Sequence, residues 1–436
     1  MINVYLWLGI YILILLAVSY FVSRKQSDED FLISGRNRGG WQILFSKFAV
    51  AMGAGYFITY TGFAYEYGTG VFAMMIGILF GYLLFGYWAA PKIYKNSKRM
   101  RFYTMGDYVY DRTESAFSRN IANVVSNVIL FFWLLVGVVG GAKIISDFGL
   151  LSYSSAFLLT IFIIGAYIYM AGFKAVIITD FIQSIFMLLL LAIVTISIVG
   201  GEKLGILFGA SYGSIDIATA VGFFLFGLLG IFSYSNVFQL CYAAKNKKKL
   251  MHGLGLSIVP IVIVLFFLLL IGMFMSLNVP GLDSGLVFTE ALKNFLPVSL
   301  FPFAIVLFFA GIMSSADTNI YGISSHFVLH GKPKLMPVRD IRRASVILVV
   351  ITAIVGLIFR DVVDVSILAG GVTLILSLPI IYLLFGGINS NRFIGSCMGG
   401  LVGLVVGVAI LGIEPTVALS VLIFSGLGFF WNFGKK

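Results

Sequence analysis

The sequence predicts an all-α membrane protein of about thirteen transmembrane helices, and three observations predict it. Of 436 residues, 60% are hydrophobic and 11% charged, with a mean hydropathy of +1.05, too apolar for a soluble chain of this length. Apolar runs of about 20 residues recur along the chain, each long enough to cross a hydrocarbon core ~30 Å thick. Basic residues gather in alternate loops, as they do when loops are sorted across a bilayer.

Thirteen spans are read, at approximately 3–22, 41–64, 68–91, 120–147, 151–170, 173–199, 217–240, 252–277, 299–329, 343–359, 363–386, 393–413 and 416–433. The first, Val4–Val22, is too long for a signal-peptide core and lacks a basic leader and a small-residue cleavage site. It is read as a retained helix. All but five of the 29 Lys and Arg fall in loops on one side, the exceptions being Lys47, Lys143, Lys203, Lys293 and Arg360. Retention of basic loops in the cytoplasm then puts the amino terminus outside the cell membrane and the carboxyl terminus in the cytoplasm. The net charge of +11 is thereby explained by topology, and no nucleic-acid partner is expected. Cys241 and Cys397 lie far apart, and His252, His326 and His330 lack zinc-site spacing. Neither a disulfide framework nor a metal site of that kind follows.

Several spans are interrupted. Gly53-Ala54-Gly55 divides the second, Gly227 to Gly230 loosens the seventh, and Gly370-Gly371 opens the eleventh ahead of Pro379. Singly, such glycines are packing residues. At corresponding positions of two halves they mark broken helices, whose freed carbonyls meet cations and whose N–H groups meet anions near the midplane. If the second span is helix 1 of a five-plus-five inverted repeat, the seventh is helix 6. The halves share no usable identity, so the repeat rests on this spacing.

The polar residues sort by span. Met313-Ser314-Ser315-Ala316-Asp317 sits between two apolar stretches of the ninth span, where a carboxylate costs about 2.5–3.5 kcal/mol on insertion scales. Two adjacent hydroxyls with a carboxylate two residues on read as an ion path rather than helix glue. Asp180 lies a turn or two inside the sixth span, either hydrated at the helix end or beside a cation's exit path. Sodium is a hard cation that prefers carbonyl, hydroxyl and carboxylate oxygens. That preference pairs Ser314 and Ser315 with the Ala49–Met52 segment. Ser314 and Ser315 have no histidine or lysine base at usable spacing, so enzymatic chemistry is not expected.

Four motifs in order, Asp30–Arg36, Gly172–Gln183, Ala243–Asn246 and Gly311–Asp317, resemble signatures of the sodium:solute symporter family over residues 28 to 385. The resemblance implies a LeuT-like core of ten helices over 41–386, an extra helix at 3–22 and further helices over 393–433, all in one integral membrane domain. It implies a bound sodium ion (Na+) held by the carbonyls of Ala49, Met52 and Gly311 and the hydroxyls of Ser314 and Ser315. Asp180 matches an acidic residue near the sodium exit route that holds a second sodium in some members, and Asp317 is a further second-cation candidate. The stretch Gly137–Lys143 is most similar to the proline-symporter branch. Gly227, Ile231, Gly55 and Ala51 replace the residues usual in sugar and proline members, and Leu240 replaces the arginine after Gln239. The remaining solute pocket is Gly53, Gly55, Tyr56, Trp133, Phe232, Ser233 and Tyr234. It suits a small amino acid such as proline, or a small carboxylate, whose anionic group meets main-chain N–H at a half-helix end.

Lys47 has no counterpart in the family pattern. It is read as snorkelling to the cytoplasmic interface, as pairing with Asp180, or as a substitute cation that makes transport sodium-independent or proton-coupled. The expected function is sodium-coupled import of a small organic solute across the lipid bilayer by alternating access. The alternative is a solute sensor on the same fold, for which the tail Trp431–Lys436 is read as carrying no signalling domain. Oligomeric state and solute identity are not readable from these residues.

Overall fold

The computed structural model describes residues 2–24, 27–170, 173–200, 205, 207, 215–329, 337–358 and 361–430. Gly172, the basic residues Lys25, Lys203, Lys332, Lys334 and Arg360, His330 and the tail from Trp431 lie outside them. Among the described residues the chain is helical throughout, with one isolated backbone bridge, Arg38 to Ala244. Helix is what lipid requires, because it satisfies every backbone group within one segment.

In chain order the helices are α1 (Ile2–Ser23), α2 (Asp28–Ile33), α3 (Gly40–Ala51), α4 (Ala54–Tyr67), α5 (Phe72–Leu84), α6 (Ala90–Met100) and α7 (Met105–Thr113). There follow α8 (Ala116–Asp147), α9 (Tyr153–Met170), α10 (Phe173–Val199), α11 (Ile217–Gly230), α12 (Ser235–Ala243), α13 (Lys247–Leu256) and α14 (Ile258–Asn278). The last are α15 (Val287–Phe295), α16 (Phe301–Val328), α17 (Pro337–Gly356), α18 (Val362–Leu374), α19 (Ser377–Leu384), α20 (Ser390–Leu411) and α21 (Val417–Gly428). Seven helical stretches among the described residues are long and apolar enough to cross a membrane, and α11 with α12 makes an eighth if the bent pair is one span. Leu6–Val22, Tyr153–Tyr169 and Val417–Gly428 are apolar but shorter.

Helix α16 is the axle of the bundle. It is buried along nearly its whole length and packs against α8, α10, α17, α1, α3 and α4. Burial on every side is why its pattern shows no polar stripe. Helices α5 and α11 cross closely enough for their backbones to touch: a Cβ added at Gly227 would lie 2.4 Å from the Met74 carbonyl oxygen.

That contact corrects one expectation. Gly227 and Gly230 do not break the seventh span, because α11 runs through both and Gly227 serves close packing. The break comes after them, at Tyr234 (φ −78°, ψ 105°), where the chain bends by 47° into α12. Gly370 and Gly371 likewise sit inside α18, and the interruption falls at Ile375–Leu376, just ahead of Pro379. Proline cannot supply an N–H to the carbonyl four residues back, so the ladder opens there. The break in the second span does fall at its glycines: α3 ends at Ala51, Met52 leaves helical space (φ −115°, ψ 45°), and extended Gly53 starts α4.

The segment ahead of α3 is latched to four distant segments. Asp30 accepts from Lys174 Nζ at 3.0 Å, Glu29 pairs with Arg36 at 2.8 Å and accepts from the Tyr103 hydroxyl at 2.8 Å. Tyr321 of α16 donates to the Phe31 and Leu32 carbonyls, and Arg38 exchanges backbone bonds with Ala243 and Lys245. The first three motifs thus meet at one face. Burial opposes ionisation of Glu29 and Asp30. The bonds from Arg36 and Tyr103 on one, and Lys174 and Ser27 on the other, more than offset it and hold both carboxyls below their ordinary values of 4.5 and 3.8. A lowered carboxyl stabilises the folded state above the unfolded value and loses that contribution as pH falls through the folded one. Hydrogen exchange in Asp28–Arg36 is therefore expected to be slow at neutral pH and to speed up, beyond the intrinsic pH effect, once pH drops below those values. Lys174→Ala is expected to bring the same loosening at neutral pH, and equal protection in both proteins would refute the latch.

Candidate solute and cation sites

Two half-helices and one continuous helix build the first cluster. Because the ladder stops at Met52, the Ala49 carbonyl is left to accept from Met52 N–H at 3.1 Å and from the Ser314 hydroxyl at 3.1 Å. Ser314 also reaches the Gly311 carbonyl at 3.1 Å, and Ser315 reaches the same carbonyl at 3.0 Å. Ala49, Gly311, Ser314 and Ser315 are thereby brought together, all deeply buried. Met52 adjoins them, and with ψ at 45° its carbonyl no longer runs along the axis of α3.

Gly53 keeps this space open. A Cβ there would stand 2.5 Å from Ser315 Oγ and 3.7 Å from the Gly311 oxygen, so any side chain would fill the gap between break and hydroxyls. The donor set is neutral, hard oxygen only. Around an ion with ~2.3–2.6 Å bonds, neighbouring ligands in near-octahedral array stand roughly 3.3–3.7 Å apart. The oxygens here need only a few tenths of an ångström of expansion, with the hydroxyl protons turned away from the carbonyls.

A second cluster lies on the other side of α3. One residue along a helix turns the side chain by about 100°, so Ser46 and Lys47 face different ways. Ser46, not Lys47, reaches Asp180, its hydroxyl donating to Oδ2 at 2.7 Å. Asp180 is fully buried, which removes the hydrated helix-end reading. Asp317, two residues after Ser315 and so roughly 200° around α16, turns away from the first cluster to this one. The carboxyls of Asp180 and Asp317 are close enough to interact, and the Tyr167 hydroxyl beside them shares a hydrogen bond with Thr179 Oγ1 at 2.6 Å. Among the described residues, three acceptors in this group, Asp180 Oδ1, Asp317 Oδ2 and Gln183 Oε1, have no donor. Buried acceptors without donors mark a place where a cation or a proton belongs.

The third feature is a central cavity between the breaks. Gly53, Gly55, Tyr56, Trp133 and Tyr234 line it, with Trp133 stacked on Tyr56 at 5.0 Å and donating to Thr373 at 3.1 Å. Phe232 and Ser233 do not. The 3₁₀ turn ahead of Tyr234 rotates Phe232 onto Phe85 and Trp88, while Ser233 bonds Ser377 at 2.9 Å. The wall instead includes Thr59, Tyr60, Asn236, Asn319 and Ser366. Asn319 was legible as Ser315 plus one helical turn, and Asn236 as the first amide beyond the second break. Ser315 lines the cavity as well as the first cluster, so solute and cation spaces adjoin.

Lys47 is in this cavity. Its side chain is 3% exposed, and its Nζ stands 5.1 Å from the ring centres of Tyr82 and Tyr234. It neither snorkels to an interface nor pairs with Asp180. Among the described residues it makes no ion pair.

Paired helix breaks around a central cavity, with hard oxygens at one break, define a secondary-transporter architecture. The chain belongs to the sodium:solute symporter family, whose profile matches residues 31–407. This is a family of transporters and not of enzymes. The sodium/pantothenate symporter of Haemophilus influenzae is 24% identical over 53% of this chain and 52% of its own length. The sodium/proline symporter of Staphylococcus aureus is 26% identical over 44% and 38%. The chain thus covers about half or less of these relatives. In fold it matches a substrate-bound, outward-open Na+-coupled sialic acid symporter with a TM-score of 0.79 over 98% of this chain and 97% of that one, at 16% identity. A nucleobase-cation-symport-1 family transporter follows at 0.56 over 93% and 95%, at 11% identity. The fold is LeuT-like.

Proposed function

We propose that this protein is a sodium-coupled symporter that imports a small organic solute by alternating access, with sodium at the first cluster and solute in the adjoining cavity. The observation that carries the reading is the convergence of the Ala49 and Gly311 carbonyls with two hydroxyls across a helix break. Ala49, Met52, Gly311, Ser314 and Ser315 hold the ion. Since Ser315 borders both spaces, each ligand completes the wall against which the other sits, and their affinities rise together. Asp180 and Asp317 take a second cation on its way to the cytoplasm. Thirteen spans in one membrane domain, amino terminus outside and carboxyl terminus in the cytoplasm, complete the reading, with extra helices at 3–22 and 393–433 flanking the core at 41–386.

The solute is a small amino acid such as proline or a small carboxylate. The relatives' names make proline and pantothenate the first to test. In proteoliposomes, uptake of the transported solute is expected to need an inward sodium gradient and to stop when potassium replaces sodium. Uptake that continues in potassium would reject sodium coupling. Asp180→Asn is expected to lower the Hill coefficient of sodium dependence toward one, and an unchanged coefficient above one would remove the second-cation role. The substitute-cation reading of Lys47 gains no support, because its Nζ faces aromatic rings and makes no bond to the cluster's oxygens.

A further inference from the structure

We propose that Lys47 is the counter-charge for the solute, and that the solute is a net-negative carboxylate rather than a zwitterion or a neutral molecule. The inference deepens the reading of the cavity as the solute site and rests on it. Lys47 is the one formally charged side chain among the described residues lining the cavity; Tyr56, Tyr60, Tyr82 and Tyr234 are the other ionisable ones, and no Asp, Glu, Arg or His joins them.

An ammonium buried in a low-dielectric chamber without a carboxylate is costly unless an anion comes to it. Two partly buried cations elsewhere do have carboxylate partners: Arg36 with Glu29 and Lys174 with Asp30. At Lys47 the described residues supply only the faces of Tyr82 and Tyr234. These hold the cation in place by its attraction to the ring quadrupoles and leave its remaining hydrogen-bond directions to the cavity.

An amino acid would bring its own ammonium into this space. Among the described lining residues it would meet neutral acceptors such as the unbonded Asn236 Oδ1, beside the Lys47 ammonium that repels it. A carboxylate brings no such conflict. The same chamber borders Ser315, so a bound sodium ion and the Lys47 ammonium repel one another across it. An anion between them relieves that repulsion, which makes sodium and carboxylate binding mutually strengthening. This gives Lys47 a role in coupling as well as in selection.

The test uses the purified full-length protein in nanodiscs, with thermal shift and equilibrium binding in sodium buffer. The probes are butyrate, benzoate and 3-phenylpropionate, their carboxamides, and the zwitterions proline and phenylalanine. At least one carboxylate is expected to stabilise the protein, with its carboxamide and the zwitterions at least tenfold weaker. In Lys47→Met, carboxylate binding is expected to weaken at least tenfold and its enhancement of sodium affinity to vanish, while the shift produced by sodium alone persists and shows that the variant is folded. Lys47→Arg is expected to restore most carboxylate binding. Preference for zwitterions or amides, a wild-type protein that responds to none of the carboxylates, or Lys47→Met binding them as wild type does would each overturn the proposal. If carboxylates bind through Lys47 but sodium has no effect, the counter-charge stands and the sodium-coupled reading falls. If sodium stabilises the protein but carboxylates do not, the reverse holds.

Discussion

The double substitution Ser314→Ala with Ser315→Ala is expected to raise the sodium concentration for half-maximal uptake by more than tenfold, toward ~100-fold, the range seen when supporting groups of a metal site are removed. The two hydroxyls are half of the four oxygens that converge at the break, and alanine offers nothing in their place. Both positions lie inside a long buried helix, where alanine is an excellent helix former. The loss should therefore appear in sodium dependence and not in folding. At saturating sodium the maximal rate is expected to recover much of its wild-type value, since the solute cavity keeps its aromatic wall. Unchanged half-saturation by sodium in the double variant would exclude these hydroxyls as ligands.

The second large effect is expected from the smallest change. Gly53→Ala adds one methyl group where its carbon would stand 2.5 Å from Ser315 Oγ and 2.9 Å from Ser315 Cβ. Overpacking of this kind costs about 1–3 kcal/mol, and here it falls on the ion cluster rather than on a deformable surface. Uptake is expected to drop to about a tenth to a hundredth of wild type, at one decade per ~1.4 kcal/mol. If the clash with Ser315 is the cause, adding Ser315→Ala to Gly53→Ala should cost less than the two single effects summed. Strict additivity, or full activity in Gly53→Ala, would show that the gap has no role.

The comparison between sequence and structure has a physical pattern. The break at Met52–Gly53 was legible because its glycine is there for the backbone: Gly53 is extended and leaves room for Ser315. Gly227 misled because glycine also serves helix contact. Its lack of a Cβ lets α11 lie on α5, and the actual break, at Tyr234, carries no glycine at all. The hydroxyl pair on α16 was legible from chemistry, since two adjacent alcohols with a carboxylate at membrane depth need a polar partner.

Direction around a helix was harder to read than depth along it. Asp317 and Ser315 are two residues apart and serve different clusters. Ser46 and Lys47 are adjacent, and which one meets Asp180 depends on a rotation of about 100° that no local pattern on a fully buried helix reveals. The same limit explains Phe232 and Ser233. Their position beside the second break was read as cavity lining, whereas the 3₁₀ turn there winds them outward. Periodicity could have supplied Asn319, one turn from Ser315 and therefore on the same face.

The central claim is that oxygens from the α3 break and from α16 together hold a sodium ion, and direct binding of radioactive sodium to the purified protein tests it. The account predicts saturable binding to wild type that potassium does not displace at equal concentration, and at least tenfold weaker binding in Ser314→Ala with Ser315→Ala. Should that double variant bind sodium as tightly as wild type, the ion sits elsewhere and the account is wrong.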